Sequence, residues 1–287
     1  MDSDKKKGTL FIVSTPIGNL GDITFRALDT LKKVDVIACE DTRTTRSLLA
    51  HFNITPPLLV SYEEHNEESH SDTVLRFLKE GKDAAVVSEG GTPLISDPGF
   101  RIVSKAISEG LRVEPVPGAS AVIAALSASG ASTDRFSFLG FLPRSSPERK
   151  KIYKEIAGYD HTVVFFESPH RIEESLKDLA QIIPSREIVL CREITKIYEE
   201  FIRGKAEDIL KVVKDRGALK GEITLVIKKP EQNGSAAEIL LTEDDLCDLL
   251  VDQAGMQASK AAAVIAKLSG SVRADVYEKI IKKNRRG

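Results

Sequence analysis

The sequence has few cysteines and no long apolar run. Its 287 residues include Cys39, Cys191 and Cys247, an odd number at wide spacing that suits neither a disulfide framework nor a metal site. We therefore predict three buried, reduced thiols. No apolar run approaches the roughly 20 residues of a membrane span, and residues 1–7 lack the apolar core of a signal peptide. These absences favour a cytoplasmic globular protein.

Sequences that bind phosphate groups or metals are also missing. No Gly-x-Gly-x-x-Gly follows the first strand-like run, and no Gly-Lys-Ser/Thr occurs, which disfavours a dinucleotide or nucleoside triphosphate site. His170 stands alone at a predicted strand end, where a structural role is commoner than that of a base. We predict no metal site, because the other histidines have no ligand spacing to cysteines or carboxylates: His51, His65, His70 and His161.

The most informative segment is the loop Ser88–Gly99, with the sequence SEGGTPLISDPG. It follows the apolar run Ala84–Val87, which is too short for a helix and predicts a buried strand. It precedes residues 100–107, whose apolar spacing is helical. Paired glycines let a ligand approach the backbone, and prolines fix the turn. Such loops bind ligands in open α/β sheets, although an ordinary tight turn is the alternative.

Three more loops follow predicted strands and precede predicted helices. We expect Asp22 to cap the helix after the first of them, and Thr42 to cap the helix after the second. A parallel sheet would bring all four loops to one edge, which predicts a ligand site there. The strands before the three loops cover residues 9–13 and 34–39 and an edge-like segment before 115, and the loops cover 14–22, 40–46 and 115–121.

The second half continues with strands and helices less regularly, and a turn-rich linker, residues 231–235, precedes a helical tail. In the tail, Thr242, Ser259 and Ser271 are expected to cap three helices, and Gly270 separates the last two as in a helix-turn-helix. Strands are expected at 136–141, 162–166, 187–191, 197–203 and 222–227, with helices at 148–157, from 172, and at 207–213. The predicted domains are 8–121, 122–230 and 236–287.

Charge is distributed unevenly along the chain. The net charge of the whole sequence is −2, whereas residues 259–287 hold eight basic and two acidic side chains. A basic end on an acidic body is typical of a local nucleic-acid contact, although a solvated helix or a packing module would also fit. The residues predicted to contact RNA are Lys260, Lys267, Arg273 and Lys282.

Eight motifs occur in an order that resembles the tetrapyrrole-methylase superfamily, over about residues 8–229. Within it, the chain is most similar to the branch of small-subunit ribosomal RNA (cytidine-2′-O)-methyltransferases. The loop Ser88–Gly99, called the central loop below, departs from the family, which often has Asp and Ala where this chain has Glu89 and Gly90. The motifs are STPIGNLGDIT, CEDTR, SEGGTPLISDPG, PVPGASA, FLPR, FFESPHR, REITK and GEITLVI. The resemblance implies a two-domain α/β fold of the class III methyltransferases, with a small C-terminal helical domain.

The resemblance also implies S-adenosyl-L-methionine as methyl donor, small-subunit (16S) ribosomal RNA or the 30S particle as partner, and a homodimer. The expected reaction is methylation of a cytidine 2′-oxygen. A methylase of a tetrapyrrole or of a protein side chain, or a catalytically silent RNA-binding factor, remains open. By alignment, the cofactor residues are Pro16, Ile17, Gly91, Thr92, Pro93, Ile95, Ser120, Ala121, Phe166, Glu167, Ile194 and Glu222.

Five charged residues are candidates for the chemistry at the acceptor oxygen. Glu40 or Asp41 could accept its proton, and Arg43 could hold a phosphate through paired donors. Lys196 and Arg171 could stabilise the developing alkoxide or the RNA backbone. The alternative for the segment 40–43 is an ordinary helix start, since acidic residues favour the N-terminal end of the helix dipole.

Overall fold

Two five-stranded sheets form the larger part of the fold. The computed structural model describes residues 7–62, 67–230, 243–269 and 271–284. The chain divides into two units, Met1–Pro230 and Glu231–Gly287, and both sheets belong to the first. The finer division into three domains stays a prediction.

The first sheet is parallel and has the strand order β3-β2-β4-β1-β5. The central strands β2 and β4 are buried at every position, which explains why their sequences are apolar without alternation. The sequence predicted four of the strands and missed β3, a four-residue run that begins at an exposed leucine. The strands are β1 (Thr9–Val13), β2 (Val36–Cys39), β3 (Leu58–Ser61), β4 (Ala84–Val87) and β5 (Arg112–Val116).

Helices follow the strands of this sheet, and two expected caps are wrong. Asp22 ends a short 3-10 helix, and the hydroxyl of Thr24 instead accepts the capping hydrogen bond of α1. Asp41, and not Thr42, caps α2, because the Asp41 carboxylate accepts from the Arg43 N–H. The sequence also missed α3. The helices are α1 (Phe25–Lys33), α2 (Thr42–His51), α3 (Glu67–Lys79), α4 (Phe100–Ser108) and α5 (Ala121–Ser129).

The second sheet is mixed, with the order β6-β7-β10-β8-β9. Only β6 and β7 pair in parallel; the other neighbours are antiparallel. The strand expected at 197–203 begins later, and residues 197–199 form an exposed turn before it. The elements are β6 (Phe136–Phe141), α6 (Ser146–Ala157), β7 (Thr162–Glu167), α7 (Ile172–Ile182), β8 (Glu187–Arg192), β9 (Glu200–Lys205), α8 (Ala206–Arg216) and β10 (Ile223–Ile227).

A buried ion pair joins α6 to α7. Arg149 is fully buried, and its Nη2 and Nε lie 2.6 Å and 3.0 Å from Asp178 Oδ2. The Ser146 hydroxyl and the Lys150 ammonium add contacts of 2.9 Å and 3.2 Å to the same carboxylate. Burial alone would raise the pKa of Asp178, but the hydrogen bonds from Arg149, Ser146 and Lys150 outweigh it and lower that pKa.

The second unit has its own apolar core. A short helix, α9 (Glu243–Cys247), continues as a π-helix, Asp248–Gln253, and α10 (Ala258–Ser269) packs against α11 (Arg273–Asn284). Two expected caps are wrong: Ser259 lies inside α10, and Ser271 lies two residues before α11 begins. The expected features at Thr242 and Gly270 lie outside the described residues. The buried core residues are Leu246, Cys247, Ala261, Ala262, Ile265, Val276 and Ile280.

Two expectations from composition can be compared with the structure. Cys39, Cys191 and Cys247 are free and buried, as predicted. Burial raises the pKa of Cys191 to about 12, which makes its thiol a poor nucleophile at neutral pH. In the parts of the chain that the structure describes, no helix has the length and apolar content needed to cross a membrane.

Replacing Asp178 by Asn should strongly destabilise the protein. The amide keeps the shape of the carboxylate but removes the negative charge closest to the buried Arg149 and leaves only Glu174, at 4.0 Å. Loss of the close partner of a buried charge costs about 3–5 kcal/mol in comparable sites. Urea denaturation would measure the loss in free energy of unfolding. The control is Glu173→Gln on the same helix, which removes an exposed ion pair with Lys177 and should leave the midpoint nearly unchanged. Equal midpoints for both variants would contradict the prediction.

Candidate functional site

The loops after β1 and β4 are joined by two backbone hydrogen bonds. The Thr15 N–H donates to the Gly91 carbonyl at 2.9 Å, and the Gly91 N–H donates to the Thr15 carbonyl at 3.0 Å. Gly91 has a φ of +92°, and a Cβ there would lie 3.2 Å from the Ile17 Cγ2. A side chain at position 91 would thus be both strained and crowded. The glycine leaves the backbone of this loop open to a ligand.

The loop after β5 is attached to the same pair. The Ser14 and Thr92 hydroxyls are 2.9 Å apart, and the Thr92 hydroxyl donates to the Ala119 carbonyl at 3.1 Å. Three loops are therefore held together at the carboxyl ends of neighbouring parallel strands. The predicted meeting of these loops at one edge is confirmed.

A cavity of about 910 Å³ opens above this edge, near the upper end of the roughly 300–1000 Å³ usual for ligand sites. The loops after β1, β2, β4 and β5 form one side, and residues of the second sheet form the other. Among the residues predicted to hold the cofactor, Pro93 is buried and does not line the cavity. The others all do: Pro16, Ile17, Gly91, Thr92, Ile95, Ser120, Ala121, Phe166, Glu167, Ile194 and Glu222.

Of the charged candidates, Glu40 and Lys196 line the cavity, whereas Asp41, Arg43 and Arg171 do not. Both Asp41 carboxylate oxygens contact the Arg43 side chain, and Arg43 Nη2 lies 2.7 Å from Asp41 Oδ2. Hydrogen bonds from Arg43 lower the pKa of Asp41 to about 2. Asp41 thus holds the start of α2 and is a weak proton acceptor at neutral pH.

Arg171 is paired at the end of β7. Its Nη2 lies 2.7 Å from Glu167 Oε1, and its Nη1 donates to the Leu142 carbonyl at 3.2 Å. The Ser168 N–H also donates to Glu167 Oε1. Among the described residues, Glu167 Oε2 has no hydrogen-bond partner although it is buried. Arg171 therefore positions Glu167, one of the cavity residues.

Lys196 connects two carboxylates in the wall of the second sheet. Its ammonium lies 3.0 Å from Glu193 Oε1 and 3.2 Å from Glu222 Oε2. Burial lowers the pKa of Lys196, but its contacts with the two carboxylates outweigh this and raise it. Beside it, the Thr195 hydroxyl accepts from the Asn19 N–H at 3.0 Å, which ties this wall to the loop after β1. Lys196 is a permanent cation on the cavity wall.

Sequence reasoning missed a third wall, one side of α2. The residues of α2 that line the cavity recur at three- and four-residue intervals, a helical spacing that the sequence could have revealed. It also missed Glu89 and Asp97; burial raises the pKa of Asp97, partly offset by a hydrogen bond with Ser88. No group of three or more His, Cys, Asp or Glu side chains within the described ranges could hold a metal ion. The α2 residues are Thr44, Thr45, Ser47, Leu48 and His51.

The four predicted RNA contacts are exposed on two helices of the second unit. Lys260 and Lys267 lie on α10, and Arg273 and Lys282 lie on α11. Arg273 donates to the Ser259 carbonyl at 3.3 Å, and the Lys282 ammonium lies 3.1 Å from the carboxylate of the glutamate one helical turn earlier. All four positive charges are accessible to solvent.

Residues 9–210 match the family model described as Tetrapyrrole (Corrin/Porphyrin) Methylases. The chain belongs to the tetrapyrrole methylase family. Similar proteins are named Ribosomal RNA small subunit methyltransferase I. That of Halalkalibacterium halodurans is 47% identical over 81% of this chain and 78% of its own length. That of Escherichia coli O157:H7 is 42% identical over 96% of each chain.

Solved structures with lower sequence identity share the fold of this chain. A cobalt precorrin-4 methyltransferase has a TM-score of 0.57 and 20% identity, over 77% of this chain and 94% of its own. Diphthine synthase has a TM-score of 0.60 at 16% identity, over 77% and 90%. A uroporphyrin-III C-methyltransferase from Thermus thermophilus, solved with S-adenosyl homocysteine, has a TM-score of 0.53 at 19% identity, over 77% and 97%. The predicted α/β tetrapyrrole-methylase fold is confirmed.

Replacing Arg43 by Gln should raise the pKa of Asp41 from about 2 towards the ordinary value near 3.9, because the paired guanidinium is lost. An NMR titration of the carboxyl groups would measure the pKa of Asp41, with Arg46→Gln as the control. Because the folded pKa is depressed, the pair stabilises the fold above about pH 4 and stops doing so as pH falls through 2. The melting temperatures of wild type and Arg43→Gln should therefore converge in acid. An unchanged titration would rule out the pairing.

Proposed function

We propose that this chain is an S-adenosylmethionine-dependent methyltransferase that acts on the 2′-oxygen of a cytidine in small-subunit (16S) ribosomal RNA. The observation that supports it is identity above 40%, over most of the chain, to relatives named for small-subunit ribosomal RNA methylation. Membership of the methylase family supports methyl transfer as the reaction. The resemblance of the motifs to those of (cytidine-2′-O)-methyltransferases supports a ribose oxygen as the acceptor. The partner is the RNA itself or the 30S particle.

The cavity suits a cofactor without phosphate groups. Its floor offers backbone groups around Gly91, where a Cβ would intrude, and the hydroxyls of Thr92 and Ser120. Its opposite wall offers the apolar Phe166 and Ile194. Polar floor and apolar wall match the carboxylate, ribose and adenine of S-adenosylmethionine, which supplies a methyl group already activated by its sulfonium centre.

The chain's own contribution to the reaction is to hold the ribose hydroxyl in line with the methyl group. Such positioning alone can lower a barrier by about 7–11 kcal/mol. Glu40 lines the cavity and is our candidate to accept the hydroxyl proton, with Asp41 as the weaker candidate because its pKa is about 2. Lys196 would stabilise the developing alkoxide. Arg43, 88% exposed, would bind a phosphate outside the cavity, and Arg171 would position Glu167.

The assembly and location follow from the same proposal. We propose a homodimer, which the family resemblance implies. We also propose a cytoplasmic location, because that is where a ribosomal RNA substrate would be found. The basic helices α10 and α11 would add affinity for RNA rather than chemistry.

Two alternatives use the same fold. Solved structures with this fold are named as methyltransferases of cobalt precorrin-4 and of uroporphyrin III, so the first alternative is a methylase of a tetrapyrrole or of a protein side chain. A catalytically silent RNA-binding factor would need only the fold and the basic tail. Both alternatives are rejected if methyl label appears on ribose in RNA.

Incubation of the purified protein with small ribosomal subunits and labelled S-adenosylmethionine should place label on one nucleotide that resists alkaline cleavage. The 2′-hydroxyl is the attacking group in that cleavage, so its methylation blocks it. Gly91→Val should lose cofactor binding in calorimetry and lose activity, because it fills the cavity floor. Gly110→Val is the control, since φ there is +67° and nothing lies within 4 Å of its Cβ. Label on a base, a tetrapyrrole or a protein would reject the acceptor.

Replacing Lys260, Lys267, Arg273 and Lys282 by Gln should weaken RNA binding without changing cofactor binding. Each phosphate contact that is lost should flatten the dependence of log K on log salt by about 0.7–0.9. Filter binding at several salt concentrations would measure that slope. The matched control replaces Lys32, Lys33, Lys79 and Lys82, which lie on the first unit, by Gln. Equal slopes for the two quadruple variants would show that the tail is a packing element.

A further inference from the structure

Phe141 is an aromatic side chain that lines the cavity and yet is 59% exposed. A large apolar group is normally buried in a core, so its exposure inside a candidate ligand site needs a reason. Its ring centroid lies 5.4 Å from that of Phe166, and the Phe166 ring lies 5.0 Å from that of Phe138. One side of the Phe141 ring is thus supported, and the remainder is open to a ligand.

A β-bulge in β6 turns Phe141 towards the cavity. Phe138 pairs with Val164, and Phe141 pairs with Phe166, so three steps along β6 oppose two steps along β7. In a regular strand, residues three apart lie on opposite faces of a sheet. The extra residue puts Phe138 and Phe141 on the same face, beside Phe166. Bulges that re-aim a side chain next to a functional site are a recurrent device in sheets.

Gly140 makes the bulge possible and fixes it against the central loop. Its φ is +63°, in the left-handed region that other residues adopt at a cost. A Cβ at this position would lie 3.2 Å from the Ser96 hydroxyl, so the strand runs close to the loop after β4. The backbone around Gly140 therefore sets the face of the strand from which the Phe141 side chain projects.

We propose that Phe141 stacks on the base of the nucleotide that is methylated, after that base has left its neighbours in the RNA. This inference rests on the proposed function, which requires a ribose to enter the cavity. Proteins that recognise unstacked RNA bases commonly stack them on aromatic rings. A ring held at this place would fix the nucleotide's orientation and so direct its 2′-oxygen.

The depth of Phe141 favours the target base over the adenine of the cofactor. A small ligand buries about 70–90% of its surface, and the deep part of this cavity is formed by buried residues such as Pro16, Gly91 and Ile194. Phe141 is far more exposed than these residues. A nucleotide remains joined to a polymer that must stay outside, so its base should meet the exposed part of the wall.

Methylation kinetics of Phe141→Leu, Phe141→Tyr and Phe136→Leu would test the proposal on small ribosomal subunits. Loss of base–aromatic stacking should lower kcat/KM for RNA about tenfold or more in Phe141→Leu. Phe141→Tyr keeps an aromatic ring and should therefore keep kcat/KM for RNA near the wild-type value. Phe136→Leu changes an exposed phenylalanine at the other end of β6, outside the cavity lining, and should behave as wild type. Calorimetry should give the same cofactor Kd for all four proteins, and melting would show that they are folded.

Two results would overturn the stacking role. A weaker cofactor Kd in Phe141→Leu would mean that the ring serves the cofactor, by stacking on adenine or by supporting Phe166. An unchanged kcat/KM for RNA would mean that the ring stacks on nothing in the reaction. If the wild type itself places no methyl group on ribose, the proposed function fails first and the stacking role fails with it. An active wild type with an equally active Phe141→Leu rejects the stacking role alone.

Discussion

The pair of hydrogen bonds between Thr15 and Gly91 is the constraint on which the site depends. In the first sheet β1 lies between β4 and β5, so the loops after all three strands leave the sheet side by side. The two hydrogen bonds join the loops after β1 and β4. The Thr92 hydroxyl joins the loop after β5 by donating a hydrogen bond to the Ala119 carbonyl. The floor of the cavity is therefore an extension of the sheet rather than three independent loops. A site that is supported in this way keeps its geometry without having to be ordered by its ligand.

The sequence predicted what depends on local pattern. Buried strands such as Ala84–Val87 show as short apolar runs, and parallel pairing then requires their following loops to share an edge. The helix caps were less predictable, because several hydroxyl and carboxylate residues compete near each start and tertiary packing selects among them. Asp22 failed as a cap since the chain first makes a 3-10 turn. The role of α2 in the cavity was missed because its residue spacing reveals a helix and its polar side, while the same spacing occurs in any solvent-exposed helix.

Other features could not be predicted from local pattern at all. The bulge in β6 depends on the pairing of two strands, so Phe138 and Phe141 look like residues of opposite faces when the sequence is considered alone. The ion pair of Arg149 with Asp178 joins residues that are far apart in the chain, and nothing near Arg149 indicates that it is buried. The Lys196 contacts likewise join residues from two separate segments of the second sheet. Each of these contacts joins elements that are distant in the chain, so the spacing of residues within one element cannot predict it.

Backbone strain is concentrated in the two loops that face each other across the cavity. Within the described ranges, the non-glycine residues with positive φ are Asn53, Leu94, Ser96, Glu193 and Thr195, and all but Asn53 belong to those loops. Such conformations cost about 1–3 kcal/mol each and persist only where the surroundings enforce them. The Thr195 N–H donates to Glu199 and its hydroxyl accepts from Asn19, so both sides of this residue are held. Ile194, which lines the cavity, lies between the two strained residues Glu193 and Thr195.

The charge of the cavity explains why binding and chemistry are separated in the proposed function. Among the described residues, the acidic side chains that line it outnumber the lysines and arginines, with Glu40, Glu89, Asp97, Glu167 and Glu222 against Lys196. A negative cavity attracts a sulfonium cation and repels phosphate groups, and both effects are strongest where water is excluded. In the proposed function, this charge would keep the RNA backbone outside while a neutral ribose and base enter. Positive charge for the phosphates must then come from side chains outside the cavity lining, and the exposed Arg43 of the first unit is one of these.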